Sequence, residues 1–384
     1  MKRAGFLMFL ILLLFWAGGG KAFAESSDAG MDTLTESLLE GSGAEDLYSR
    51  IPEEGREILE GAGVDGVRPD ALMGVSFSGV MRSLWVSVTE MAGQPLRLLG
   101  ISIGVLLMAA AFSAMKGSFG GAALEKSFSG VASLSMGTAV LIPISGLVSR
   151  TAELLAGMSD FMLSFVPVYV GIVSASGRPA SGLAASTALM GTAQVTSRIS
   201  STVLVPLLTV LLAVGMVTSA CGVLDFSGLT KLVRNLVIGI LTFLMTVFIG
   251  LLSVQSSITA AADTVLLKSV KFAAGLLPVV GGAVSDALGS IQSGMGMIQS
   301  VVGGFGIFAV AACFLPGILS LLLHQLALNL AAGGGDFLGE GRLADLLRSA
   351  SSVLSILTGI VVVFGMLFIL SLSVLIAVSR GGGA

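Results

Sequence analysis

The sequence predicts an all-α, polytopic helical membrane protein, with about seven transmembrane helices and a small acidic extracytoplasmic N-terminal segment. Three observations carry this. Of 384 residues, 54% are hydrophobic and 11% charged, with mean hydropathy +0.99, too little charge to keep the surface of a soluble domain solvated. Apolar runs reach the roughly 20 residues that cross a ~30 Å hydrocarbon layer, and they do not alternate as the strands of a membrane barrel would. The 52 glycines, with abundant Ala, Ser and Thr, suit membrane helices whose backbones pack closely.

At the N-terminus, Lys2 and Arg3, an apolar core from Phe6 to Trp16 and the Ala22-Phe23-Ala24 end predict a secretory signal peptide over residues 1–24. It is either cleaved after Ala24 or kept as an anchor, and in both cases it places the next segment outside the cytoplasm. Residues 25–95 form that acidic segment, with fourteen Asp and Glu against four Arg, a net charge of −10. "MDTLTESLLE" and "EEGREILEGAG" predict short helices, with turns at Gly41–Ala44 and Gly61–Pro69. So few aromatic residues predict a thin core, hence a loosely folded cap that depends on a partner. In Gly74–Gly93, Val75, Val80, Leu84, Val88 and Met91 fall near helical spacing. This reads either as an amphipathic helix on the outer membrane surface, Trp85 at headgroup depth, or as a buried cap helix.

The membrane domain, residues 96–384, offers spans at Leu98–Met115, Phe128–Ser149, Leu154–Ser176, Ser201–Leu224, Leu232–Val254, Val301–Leu330 and Val353–Val378. Ala180–Ala193 is a further, shorter apolar stretch. Starting outside, seven crossings leave Arg380 in the cytoplasm. Lys116, Lys126, Arg178, Arg198, Lys268, Lys271 and Arg380 then lie inside, against Arg150, Lys231, Arg234, Arg342 and Arg348 outside, a weak positive-inside bias.

Signals of chemistry are sparse. Asp160 is the one acid well inside an expected span, read either as an ion site or as an acid facing a wet vestibule or another helix. His324 shares its run with Gln325 and Asn329, a pattern for interhelical hydrogen bonding or a proton relay. Cys221 and Cys313 sit in apolar runs without a CxxC neighbour and read as buried small hydrophobes. No Walker A, HExxH or GxSxG motif occurs. "GGFG" at Gly303 and "AAGGGDFLGEG" at Ala331 do not join a strand to a helix, so neither is a phosphate cradle. No enzyme, cofactor, metal or nucleic-acid partner is expected.

Prolines 143, 167, 206 and 316 fall inside the runs and remove internal hydrogen bonds. The sharpest break is "KFAAGLLPVVGGAVSDALGS", Lys271–Ser290, with Pro278, Gly281 and Gly282 at its centre. Helix from Gly282 onward places Val284, Leu288, Ile291, Met295, Ile298 and Val302 on one face. A second stripe, Gly281, Ser285, Gly289 and Ser293, is nearly free of bulk, and Asp286 falls in the first turn, where the helix dipole favours an anion. The expected form is either a re-entrant or interfacial helical hairpin buried in the assembly or a surface-lying connector.

That stretch, with "FVPVYVGIVSASG" (Phe165–Gly177), resembles the stage III sporulation protein AE family. The resemblance extends to the leader, the acidic segment and the order of spans. It implies a multi-pass protein of the mother-cell membrane facing the forespore in endospore-forming bacteria. Such a protein would belong to a channel-like complex supporting late forespore gene expression and development. The implied partners are other stage III sporulation A-type proteins, including ring-forming subunits and an ATPase, together with the lipid membrane. Small-residue ridges would pack against sister subunits or further copies of the chain, a homo-oligomer. No catalytic residue is implied. Candidate packing or pore residues are Pro278, Gly281, Gly282, Ser285, Asp286, Gly289, Pro167, Tyr169 and Asp160. The rival readings are a stand-alone carrier using Asp160 and the broken helix, or a purely scaffolding subunit.

Overall fold

The computed structural model describes residues 42–73, 75, 77–115, 122–199, 202, 206–211, 213, 214, 228, 231–250 and 281–380. The expected leader, the "MDTLTESLLE" helix, Cys221, most of the Ser201–Leu224 span and the break at Pro278 lie outside them. Every regular element among the described residues is helical. They are α1 (Asp46–Ser49), α2 (Glu53–Gly61), α3 (Pro69–Met73), α4 (Phe77–Met91), α5 (Gly93–Ala114), α6 (Ala122–Ala175) and α7 (Pro179–Ile199), then α8 (Lys231–Gly250), α9 (Gly281–Phe337) and α10 (Gly341–Arg380).

Among the described residues, five stretches are long and apolar enough to cross a bilayer: Ser78–Ala114, Ser127–Ala175, Lys231–Gly250, Gly294–Phe337 and Gly341–Ser373. The polytopic helical class therefore holds. The expected spans Phe128–Ser149 and Leu154–Ser176 are one continuous helix, α6. The reason is local. "SRTAE", residues 149–153, is charged but contains neither Gly nor Pro, so nothing stops the helix. Pro143 and Pro167 also lie within α6 without ending it. At 1.5 Å per residue α6 extends about 80 Å, α9 about 85 Å and α10 about 60 Å, all more than the ~30 Å of hydrocarbon.

The α9–α10 hairpin turns at Leu338–Glu340, where Gly339 takes φ +78°, a conformation open to glycine. Its arms run antiparallel throughout. Gly335 faces Ala344, Gly365 faces Phe314, and Gly303 faces Ile376. α6 packs along the same hairpin, α7 folds back on α6 and α10, and α5 lies against α9 and α6. Ser113, at the end of α5, donates to Glu340 (2.5 Å), and Arg342 donates to Ser129 near the start of α6 (3.2 Å). The α5–α6 connection and the α9–α10 turn therefore share one end of the bundle. Seven alternating crossings would put them on opposite sides; one unbroken α6 removes that alternation. Toward the other end of the hairpin, Ile376 of α10 and Tyr169 of α6 both lie against Gly303, and α10 ends at Arg380.

The acidic segment also departs from expectation. The turns at Gly43 (φ +72°) and Gly63 (φ +87°) and helix α2 form where the sequence places them. The segment is not a loose cap, however. Leu47, Ile51, Ile58, Leu59, Val64, Val67 and Leu72 are buried in the same core as the long helices. Its own apolar set is thin, and the bundle supplies the other wall. α4 is helical with Trp85 69% exposed, so this ring is free to meet an interface.

Candidate functional site

Two arrangements stand out, both built on small residues. The first is the seam where α6, α9 and α10 meet. On α6, Phe161, Phe165 and Tyr169 recur every four residues and are buried. Their rings follow one another along the helix, Phe161 and Phe165 tilted with centroids 5.8 Å apart, Phe165 and Tyr169 stacked at 5.6 Å. α9 meets them with glycine. A Cβ on Gly306 would lie 2.7 Å from the Phe165 ring and 3.3 Å from Leu372. One on Gly303 would lie 2.6 Å from Ile376 and 3.2 Å from Tyr169. One on Gly317 would lie 2.9 Å from Leu154. The three glycines share a face of α9, and the absent side chains let three helices interlock.

Polar ties close the seam. Gln299 donates to Ser176 at 2.5 Å, both buried, and the Ser176 hydroxyl donates to the Val173 carbonyl at 2.6 Å. Gln325 donates to Thr358 at 2.6 Å, joining α9 to α10. His324 donates from Nδ1 to the Ser320 carbonyl at 2.8 Å, while its Nε2 is buried without a protein partner. Ser176→Ala would leave the Gln299 amide without this acceptor. It is expected to cost about 1 kcal/mol, typical of such bonds inside membranes, measurable as a lower unfolding midpoint in detergent.

The second arrangement is the seat of residues 42–73. Tyr48 packs on Phe305, ring centroids 6.4 Å apart, and Pro52 lies over Gly157 of α6. Gly55 is pressed against Cys313 of α9. A Cβ there would overlap the sulfur and lie 3.2 Å from the Cys313 backbone N and Cα. Gly61 similarly faces Ser83 of α4. The segment's own polar contacts turn inward. Arg56 donates to the Ser49 (2.8 Å) and Ile51 (3.1 Å) carbonyls and lies 5.9 Å from the Tyr48 ring centre. Tyr48 donates to Glu60 at 3.1 Å.

Burial first, and the Glu60 hydrogen bond second, push the Tyr48 phenol up to about 12 from its ordinary 10.0. A raised value stabilises the folded segment fully below pH 10, and that contribution disappears as pH rises through 12. Ultraviolet titration of this two-tyrosine chain should show one phenol ionising near pH 12, a step that Tyr48→Phe removes.

The residues singled out by sequence separate. Tyr169 is central to the seam. Pro167, two residues away, is exposed on α6, as is Asp160. Gly281, Gly282, Ser285, Asp286 and Gly289 form the first turns of α9, which runs on unbroken into the expected span. Of the apolar face expected there, Ile298 and Val302 are buried and Met295 half-buried. Phe165, Gly303, Gly306, Gln299, Gly55, Gly157 and Cys313 are not among the sequence's candidates for this site. The i, i+4 aromatics of α6 and the glycine spacing of α9 are the available signals. Among the described residues no group of three or more His, Cys, Asp or Glu could hold a metal ion.

Comparison with known proteins gives one consistent result. The family model for stage III sporulation protein AE matches residues 72–379. Stage III sporulation protein AE of Bacillus subtilis (strain 168) is 25% identical over 232 residues, covering 60% of this chain and 58% of that protein. The chain thus spans little more than half the length of this relative. No solved structure matches.

Proposed function

We propose, from the premise that this chain belongs to the stage III sporulation protein AE family, that it is a non-enzymatic membrane subunit of the channel complex joining mother cell to forespore. Its role there is to sustain late forespore gene expression and development. Its partners are the other stage III sporulation A-type proteins, including ring-forming subunits that meet the acidic segment and an ATPase that meets the cytoplasmic end. The observation that carries the reading is the family match over 72–379. The glycine seam, which makes a rigid helical body, adds physical support. The stand-alone carrier has no equivalent support, because Asp160 is exposed and not enclosed in a binding site.

For orientation, we place the α9–α10 turn in the cytoplasm. Lys126 near the start of α6 and Arg342 and Arg348 near the start of α10 belong to that end, as the positive-inside rule favours. Arg380 then falls on the same side as the acidic segment. Alkaline phosphatase fused after Ala384 should be active, and a fluorescent protein fused there through the general export route should be dark; the reverse pattern rejects this orientation.

Deletion in the encoding organism tests the function. Forespores should engulf normally, late forespore reporters should stay silent, and the intact chain supplied in trans should restore them. Normal spore yield in the deletion strain would overturn the proposal.

A further inference from the structure

We propose that residues 42–73 are a removable wedge, seated in a groove between α6 and α9, and that unseating it opens the groove and uncovers Cys313. The groove belongs to the family-matched body, since Gly157 and Cys313 both fall within residues 72–379, while the wedge lies almost wholly ahead of that region. The wedge is held by shape. Gly55 fits only because it has no side chain beside Cys313, Pro52 rests on the bare surface of Gly157, and Tyr48 covers Phe305.

The wedge also has the makings of a unit that moves whole. The bonds of Tyr48 and Arg56 to Glu60, Ser49 and Ile51 all close within it, so they survive unseating. Its outer face, with Glu45, Asp46, Glu53, Glu57 and Glu60 exposed, is at home in water. Its inner face is apolar, with Leu47, Ile51, Ile58 and Leu59 buried in the shared core, so the seated state dominates and unseating is a rare local opening.

The test uses the full chain in native membranes, with Cys221→Ala so that Cys313 is the one natural thiol. Its readout is thiol chemistry, independent of sporulation and hence of the channel proposal. Pro52→Cys with Gly157→Cys should form a disulfide on mild oxidation, because a Cβ on Gly157 lies 3.4 Å from the Pro52 ring. Cys313 should react slowly with N-ethylmaleimide in the unlocked protein. Closing the disulfide should slow it about tenfold or more, and Gly55→Leu should speed it by a similar factor, as expected when opening gates access. Failure of the disulfide to form overturns the seat. Equal labelling of locked and unlocked protein overturns the movement. If Gly55→Leu does not accumulate, the locked and unlocked comparison decides alone.

Discussion

Gly306→Leu is expected to prevent the bundle from closing, while Gly304→Leu, two residues earlier, is expected to be tolerated. The difference is entirely one of neighbours. A Cβ on Gly306 already meets the Phe165 ring at 2.7 Å and 2.8 Å, and Leu372 at 3.3 Å, before the rest of leucine is added. Phe165 is fully buried and stacked on Tyr169, so it has nowhere to turn. Overpacking a fitted core costs about 1–3 kcal/mol and sometimes more, and here three helices must separate to make room. A loss of about 3 kcal/mol or more is expected, enough to unfold a marginally stable protein. Gly304 has nothing within 4 Å of its Cβ direction. There, leucine should gain helix propensity, up to about 1 kcal/mol. Thermal unfolding in mild detergent, together with size-exclusion homogeneity, distinguishes the two. Equal behaviour would mean that the seam does not hold the bundle together.

The same contrast separates the legible parts of the fold from the illegible ones. Helical class and membrane character come from composition, because apolar runs without alternation have one economical solution in lipid. Packing partners do not, since they depend on which faces meet. "GGFG" at Gly303–Gly306 reads as a failed phosphate loop, yet Gly303 and Gly306 are the contact glycines and Gly304 is not. Residues 149–153 read as an external connection because Arg150 and Glu153 are charged. Charge on an 80 Å helix marks a wet or partnered face, whereas ending a helix needs Gly, Pro or a cap. The acidic segment reads as a loosely folded, partner-dependent cap because its aromatics are few, whereas its apolar residues share one core with the long helices, a wall that its own sequence does not reveal. Gly55 carries no sign in sequence that it must be glycine. Only its contact with Cys313, 258 positions along the chain by numbering, shows it. The candidate site is thus legible at Tyr169, whose motif draws attention, and illegible wherever a contact joins segments distant in sequence.

Tyr169 and Pro167 are indistinguishable as sequence candidates, and the structure assigns them opposite fates. Tyr169→Ala is expected to be the most damaging truncation in α6. The side chain is fully buried, stacked on Phe165, and touches the bare surface of Gly303. Glycine neighbours cannot swell to fill the space, so the cavity persists and a loss of about 3–5 kcal/mol is expected, as for other aromatic-to-alanine changes in cores. Lipid weakens the transfer part of that cost, because tails are as apolar as the seam, but the lost dispersion contacts remain. Tyr169→Phe keeps the ring and should lose no more than about 1 kcal/mol. Pro167→Ala removes an exposed ring from a helix that already continues through it, and restores a backbone donor. Its stability should be unchanged or slightly raised, so any loss of spore formation in Pro167→Ala would report a local bend needed by a partner. Unfolding midpoints for the three variants, set beside their spore yields, separate a packing residue from a shape residue. A Tyr169→Ala protein as stable as the parent would show that the aromatic column of α6 does not set the seam.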